Sequence, residues 1–226
     1  MGHRRKPALI TDVKLENPRL NLTYPKVSGL KHKSAESGIN RYIKSEIHRL
    51  LKEEGYGIDE NKKFTAGYTV KLNRRGTLSI LVDLYAYAKG EEKGNSIRKT
   101  INVSLKDARV YYIDDLFSRK VKKSKWLGIL SDNINNQIKA KGIKLDKEFE
   151  GIDNSQDYYL TEEALVIYFQ MYEYTPFEYG FPEFTISFRE IGDIINTKGP
   201  IGRLLKDKED KEDKEDKLDE IETADE

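Results

Sequence analysis

Phe64-Thr65-Ala66-Gly67-Tyr68-Thr69-Val70-Lys71-Leu72-Asn73-Arg74-Arg75-Gly76, with the run Leu78 to Ala88 that follows it, decides the fold. Phe64, Ala66, Tyr68, Val70 and Leu72 alternate without a miss, which is the period of a strand with one buried face. Asn73-Arg74-Arg75-Gly76 is turn chemistry. The returning run is apolar on both faces for part of its length and therefore predicts a central strand.

Working outward, Ile97, Ile101, Val103 and Leu105 predict a half-polar strand, and Val110 to Ile113 another. Upstream, Leu20, Leu22 and Tyr24 alternate until Pro25 stops the run. Between these strands Ser34 is a candidate N-cap, and Ile39, Tyr42, Ile43, Ile47, Leu50 and Leu51 recur at helical spacing before Gly55 and Gly57. The segments together predict an antiparallel meander with short polar turns.

A second unit begins where Asp114-Asp115-Leu116-Phe117 breaks the strand pattern. Trp126, Leu127, Leu130, Ile134 and Ile138 predict an amphipathic helix closing near Gly142. Tyr158–Leu160 and Leu165–Phe169 read as a hairpin turned at Thr161-Glu162-Glu163. Phe184, Ile186 and Phe188 alternate in a last strand, and Ile191, Ile194 and Ile195 begin a short helix. The expectation is an α+β protein: antiparallel sheets each covered by a helix, and two similar-sized halves in one body. An arm over 1–17, a first module over 18–104, a second domain over 105–205 and a charged tail over 206–226 complete the division.

Charge is unevenly placed along the chain. The formal total is +1, but residues 206–226 hold 12 acidic and five basic residues, which leaves +8 on residues 1–205. The tail, almost without apolar groups, cannot bury enough surface to offset its ordering entropy and is expected to be disordered. A basic body favours anionic partners. Arg74, Arg75, Lys120, Lys122 and Lys123 are the candidate basic patch, and a salt-sensitive binder of anionic polymer or nucleic acid, modulated by the acidic tail, is the alternative function.

Catalytic chemistry finds no anchor. No cysteine is present, so disulfides and thiolate metal sites are excluded. His3, His32 and His48 lack metal-ligand spacing, and neither a nucleophile elbow, a phosphate loop nor a dinucleotide fingerprint occurs. Asp114-Asp115, adjacent at a strand end, reads as turn and cap chemistry rather than a catalytic pair. The expectation is a protein that is not an enzyme and uses neither metal nor cofactor. No apolar run approaches the ~20 residues of a spanning helix. No apolar leader follows Arg4-Arg5-Lys6, so the location is read as cytoplasmic or uncertain.

The stretch from Tyr168 to Phe188 is the most unusual, with nine aromatic residues in 21 positions. Pro176 and Pro182 bracket a segment that cannot be regular strand, and Gly180 supplies freedom between them. Some of these rings must serve the core. The others offer contact area at low entropic cost.

Three groups of residues resemble a known family. They are Ile113-Asp114-Asp115-Leu116-Phe117, then Tyr158-Tyr159-Leu160-Thr161-Glu162-Glu163, then Tyr172-Glu173-Tyr174-Thr175-Pro176 through Gly180 to Glu183-Phe184-Thr185-Ile186. In this order they resemble the C-terminal domain of RsiV-type anti-sigma factors, which also accompanies the catalytic domain of PdaC-type deacetylases. Tyr24-Pro25-Lys26-Val27-Ser28-Gly29-Leu30, leading into Ile39-Asn40, resembles the accompanying N-terminal module. The likeness spans about residues 18–200.

The resemblance implies a non-catalytic, extracytoplasmic recognition domain. It assigns ligand contact to the loop Thr175-Pro176-Phe177-Glu178-Tyr179-Gly180, with Phe181 beside it. The RsiV-type ectodomain is a lysozyme receptor. Pro176 and Gly180 match that pattern, but Glu178 stands where the receptor has an aromatic residue, and a +8 body opposes a strongly cationic enzyme. The deacetylase metal set and a sigma-binding helix with a membrane span are absent from this sequence. The expected partner is therefore a protein or an envelope glycan, with lysozyme a candidate by resemblance only, nucleic acid disfavoured and no membrane span.

Overall fold

Alternating apolar residues build two sheets, and helices supplied by the same sequence cover them. The computed structural model describes residues 6–206. The first sheet has strand order β1 (Leu9–Asn17), β2 (Leu20–Ser28), β3 (Lys62–Arg74), β4 (Thr77–Ala88), β5 (Asn95–Ser104). The second has order β6 (Tyr158–Leu160), β7 (Ala164–Tyr168), β8 (Glu183–Ser187). Helix α1 (Lys33–Glu53) covers the first sheet and α2 (Lys123–Lys141) the second. The expected α+β class, with a helix on each sheet, is the one observed.

Helix α1 buries Ala35, Ile39, Ile43, Ile47, Leu50 and Leu51 against Leu22, Phe64, Ile80, Val82 and Leu84. It starts at Lys33 with His32 at the N-cap position, two residues before the expected Ser34. Glu36 fixes that entry by accepting the Leu30 amide at 3.1 Å and pairing with Lys33 at 2.9 Å. Helix α2 buries Trp126, Leu130, Ile134 and Ile138 in a second core with Phe184 and Ile186. Phe117 stacks on Trp126 with centroids 4.5 Å apart.

Four features depart from the sequence reading. Residues Leu9–Asn17, expected as an arm, form an edge strand paired along their whole length with β2. The first sheet is not a simple antiparallel meander, because α1 crosses over between β2 and β3 and those two strands pair in parallel. The alternation in β3 breaks at a bulge between Val70 and Leu72. Leu72 then lies opposite Ser79 and joins the second core, so one extra residue has turned it to the other face. Finally, Val110 makes only an isolated bridge to Val103, and Ile113–Leu116 is a 3-10 turn. Asp115 closes that turn by accepting the Tyr112 amide at 3.0 Å and pairing with Arg109.

The central position read for β4 is what joins the halves. Its even-numbered residues face α1, while Ser79 and Leu81 face the second half. The polar side of β5 is buried there too: Thr100, Asn102 and Ser104 are all enclosed. Ser79 donates to Asn102 Oδ1 at 2.6 Å and accepts the Leu160 amide at 3.1 Å, and Asn102 Nδ2 donates to the Tyr158 carbonyl at 2.9 Å. Thr100 and Tyr168 share a hydroxyl bond at 2.8 Å. Ser79, Thr100 and Asn102 thus meet partners across the seam, as burial requires, while the Ser104 hydroxyl accepts the Lys106 amide at 3.2 Å. Residues 200–206 form a last helical segment, with Ile201 and Leu204 in the second core. The charged tail from 207 onward lies outside the described residues.

Candidate functional site: an aromatic surface at the loop before the last strand

The loop between β7 and β8 leaves regular structure because its backbone cannot stay in it. Tyr172 has φ 62, in the left-handed region that a tyrosine rarely occupies, and Gly180 has φ 59. Between them Phe177–Tyr179 makes one 3-10 turn, with the Tyr179 amide donating to the Pro176 carbonyl at 3.1 Å. Glu173 caps the loop entry by accepting the Gln170 amide at 2.7 Å. Burial raises the pKa of Glu173 above the usual carboxylate range, although that amide bond opposes the shift.

The rings divide into floor and ridge. Tyr174 packs on Phe169 (4.6 Å) and Phe149 (5.5 Å) and carries Lys147 on its outer face. Phe181 lies under the Arg98 guanidinium at 4.5 Å. Tyr172 and Phe177, by contrast, are 58% and 41% exposed and touch each other at 5.8 Å. Lys93, from the β4–β5 hairpin tip, sits 4.6 Å above the Phe177 ring.

That hairpin extends the surface. Tyr85 and Tyr87, on the face of β4 opposite the α1-facing Leu84 and Ala86, stack on each other at 6.5 Å. They are 43% and 36% exposed. The Tyr85 hydroxyl accepts the Gly94 amide at 3.3 Å, next to Lys93. Arg98 fastens the hairpin to the loop: it donates to Asp83 Oδ1 at 2.7 Å and to Glu183 Oε1 at 2.7 Å while covering Phe181. Glu183 also accepts the Tyr159 hydroxyl at 2.9 Å. Burial, together with that bond, raises the Tyr159 pKa.

The seven predicted loop residues therefore fare differently. Phe177 and Glu178 are exposed, and Pro176, Tyr179, Gly180 and Phe181 are half-buried. Thr175 is wholly buried, so it is structure beneath the loop rather than contact surface. Tyr179 is held from below, since its hydroxyl accepts the Lys144 amide at 3.1 Å. Sequence reasoning missed Tyr85, Tyr87 and Lys93. The alternation of Tyr85 and Tyr87 with Leu84, Ala86 and Ala88 was the available signal.

The five predicted basic residues stand in different local settings. Arg74 pairs with Glu162, and the Arg75 carbonyl accepts from Arg203 at 3.3 Å. Lys120 and Lys123 line a groove together with Arg203, and Lys122 occupies the N-cap position of α2. Among the described residues, no group of three or more His, Cys, Asp or Glu could hold a metal, and no helix is long and apolar enough to cross a membrane.

Residues 114–189, which include this loop, match the family described as Protein of unknown function (DUF3298). The rest of the chain is similar to known proteins as well. The chain is 27% identical over 193 residues, 78% of its length, to the anti-sigma-V factor RsiV of Bacillus subtilis strain 168. The chain spans 65% of that relative's length. A DUF3298-family protein from Pseudomonas aeruginosa shares the fold, with a TM-score of 0.62 at 14% identity over 87% of this chain and 94% of that one. A second, from Bacteroides fragilis, has a TM-score of 0.61 at 14% identity, over 90% and 98%. The aromatic loop thus connects two strands of the matched segment, and its neighbour Lys93 comes from outside it.

Proposed function

We propose that this chain is a non-catalytic recognition module, and that a protein or cell-envelope polymer docks on the aromatic surface of Tyr172, Phe177, Tyr85 and Tyr87. One observation carries the reading: Tyr172 and Phe177 stand exposed and in contact while Tyr174, Tyr179 and Phe181 of the same loop are half-buried. Exposed aromatic side chains on a rigid base are the anchors that dominate binding, since few degrees of freedom are lost when they are covered. Here the base is stiff because Arg98, Glu173 and Tyr179 each tie the loop to a neighbouring element or to itself. Likeness to an anti-sigma factor, a regulatory protein by its name, supports recognition over turnover.

Capture on immobilised protein tests the proposal, with purified cell-wall sacculi and lysozyme as separate probes. Wild type is expected to retain one of them, and Tyr172→Ala/Phe177→Ala to lose it while keeping its circular dichroism spectrum. Retention unchanged by the double substitution, or retention of neither probe, overturns the reading.

A further inference from the structure

A second site lies away from the aromatic surface and does not depend on it. A groove of about 900 Å³ runs between the β5 end, the 3-10 turn, the start of α2 and residues 196–203. Seven cationic side chains line it against three carboxylates, a net of +4. One of those carboxylates, Asp115, is already engaged by Arg109. Lys106, Arg119, Lys120, Lys123 and Lys198 are exposed and make no ion pair among the described residues. Arg203 is braced for its position by donating to Thr77 Oγ1 at 3.0 Å and to the Tyr111 hydroxyl at 3.1 Å.

The helix that opens onto this groove is charged against its own dipole. Lys122 occupies the N-cap position of α2, Lys123 and Lys125 stand in its first turn, and no acidic residue accompanies them. A helix N-terminus carries partial positive charge and favours acidic side chains. Helix α1 obeys that rule, with Glu36 in its first turn and Lys52 in its last. The lysines of α2 therefore oppose the fold locally, and an anion in the groove would relieve both the dipole and their mutual repulsion.

The occupant must bind by charge. Phe117 and Trp126 line the groove but are 2% and 3% exposed, which leaves half-buried Tyr111 and Val121 as its apolar side chains beside seven cations. A protein segment needs apolar anchors. A thin chain with a charge on every repeat and few apolar groups does not. We propose that this groove binds a linear, phosphate-bearing polyanion without bases, a few repeat units of which fill the volume between Lys106, Lys120, Lys123 and Lys198.

The test uses the full chain and fluorescein-labelled linear polyphosphate of about ten units, followed by anisotropy from 50 to 300 mM NaCl. Lys120→Glu/Lys123→Glu is expected to weaken binding about tenfold or more and to flatten the log–log salt slope by about 1.5, as loss of two phosphate contacts requires. Lys14→Glu/Lys63→Glu, an equal charge change at exposed sites on β1 and β3, is expected to change affinity by less than about threefold. Equal losses in the two variants would reduce the binding to net charge and overturn the proposal. A salt-independent affinity would do the same. So would tighter binding of a single-stranded oligonucleotide than of polyphosphate, which would make nucleic acid the occupant.

Discussion

Removing the Arg98 guanidinium should loosen the joint between the hairpin and the aromatic loop. Its side chain is 18% exposed, and it serves Asp83 and Glu183, which are 48% and 35% exposed. Burial works against its charge, but the bond to Asp83 and the fields of Asp83 and Glu183 outweigh that and raise its pKa. Arg98→Met keeps the stem and deletes the charge. A hydrogen bond between charged groups contributes about 1.5–3 kcal/mol when enclosed, and an exposed pair about 0.2–1 kcal/mol. These partners lie between the limits, so each arm is taken as about 1 kcal/mol, with about 1 kcal/mol more for the lost contact over Phe181. The sum is roughly 3 kcal/mol, or about 6–12 °C in Tm for a chain of this size. Urea unfolding reads it as a lower midpoint at constant m. Arg49→Met is the control: Arg49 is 42% exposed against 18% for Arg98, and its pairs with Glu46 and Glu53 are local ones on α1 that should cost below about 1 kcal/mol. A loss under about 1 kcal/mol in Arg98→Met, or equal losses in the two variants, would refute the reasoning.

Asn102→Ala removes both seam bonds and leaves the Tyr158 carbonyl without its amide donor, so a loss of about 2–3 kcal/mol is expected in urea; a loss near zero would mean that the seam is held by apolar contact alone. Glu173→Gln acts through pH. Its carboxyl pKa is raised in the folded chain, so the stability tied to the protonated form is present below the unfolded pKa and lost as pH rises through the folded one. Thermal melts should therefore favour the variant at pH 7 and bring it level with wild type near pH 4. An equal difference at both pH values would show that the group does not titrate as the structure requires. Tyr42, raised by burial to about 12, should weaken the fold above pH 10 as its hydroxyl ionises, visible as alkaline unfolding that Tyr42→Phe delays.

Local patterns carried much of the fold. The buried stripe of α1, the β6–β7 hairpin and the two-faced apolar run of β4 each follow from residue spacing, because each is set by burial of a nearby face. Long-range pairing was not legible in the same way. Nothing in Leu20–Ser28 or Lys62–Arg74 states that they pair in parallel, since the crossover by α1 is a tertiary choice. Leu15 and Leu9 are exposed on β1, so that strand is held by backbone bonds and lacks a strong apolar stripe. At the site, Pro176 and Gly180 marked the loop, yet sequence could not separate Thr175, which is enclosed, from Phe177, which is not. Tyr85, Tyr87 and Lys93 are brought to the loop by tertiary contacts: those of Lys93 and Arg98 with Phe177 and Phe181, and the bonds of Arg98 with Glu183 and Gln170.

Hydrogen exchange, measured with and without whichever of sacculi or lysozyme the wild-type chain retains, tests the central claim most directly. The account predicts new protection confined to residues 85–94 and 170–182, absent in Tyr172→Ala/Phe177→Ala. Protection elsewhere, with those two segments unchanged, would contradict it.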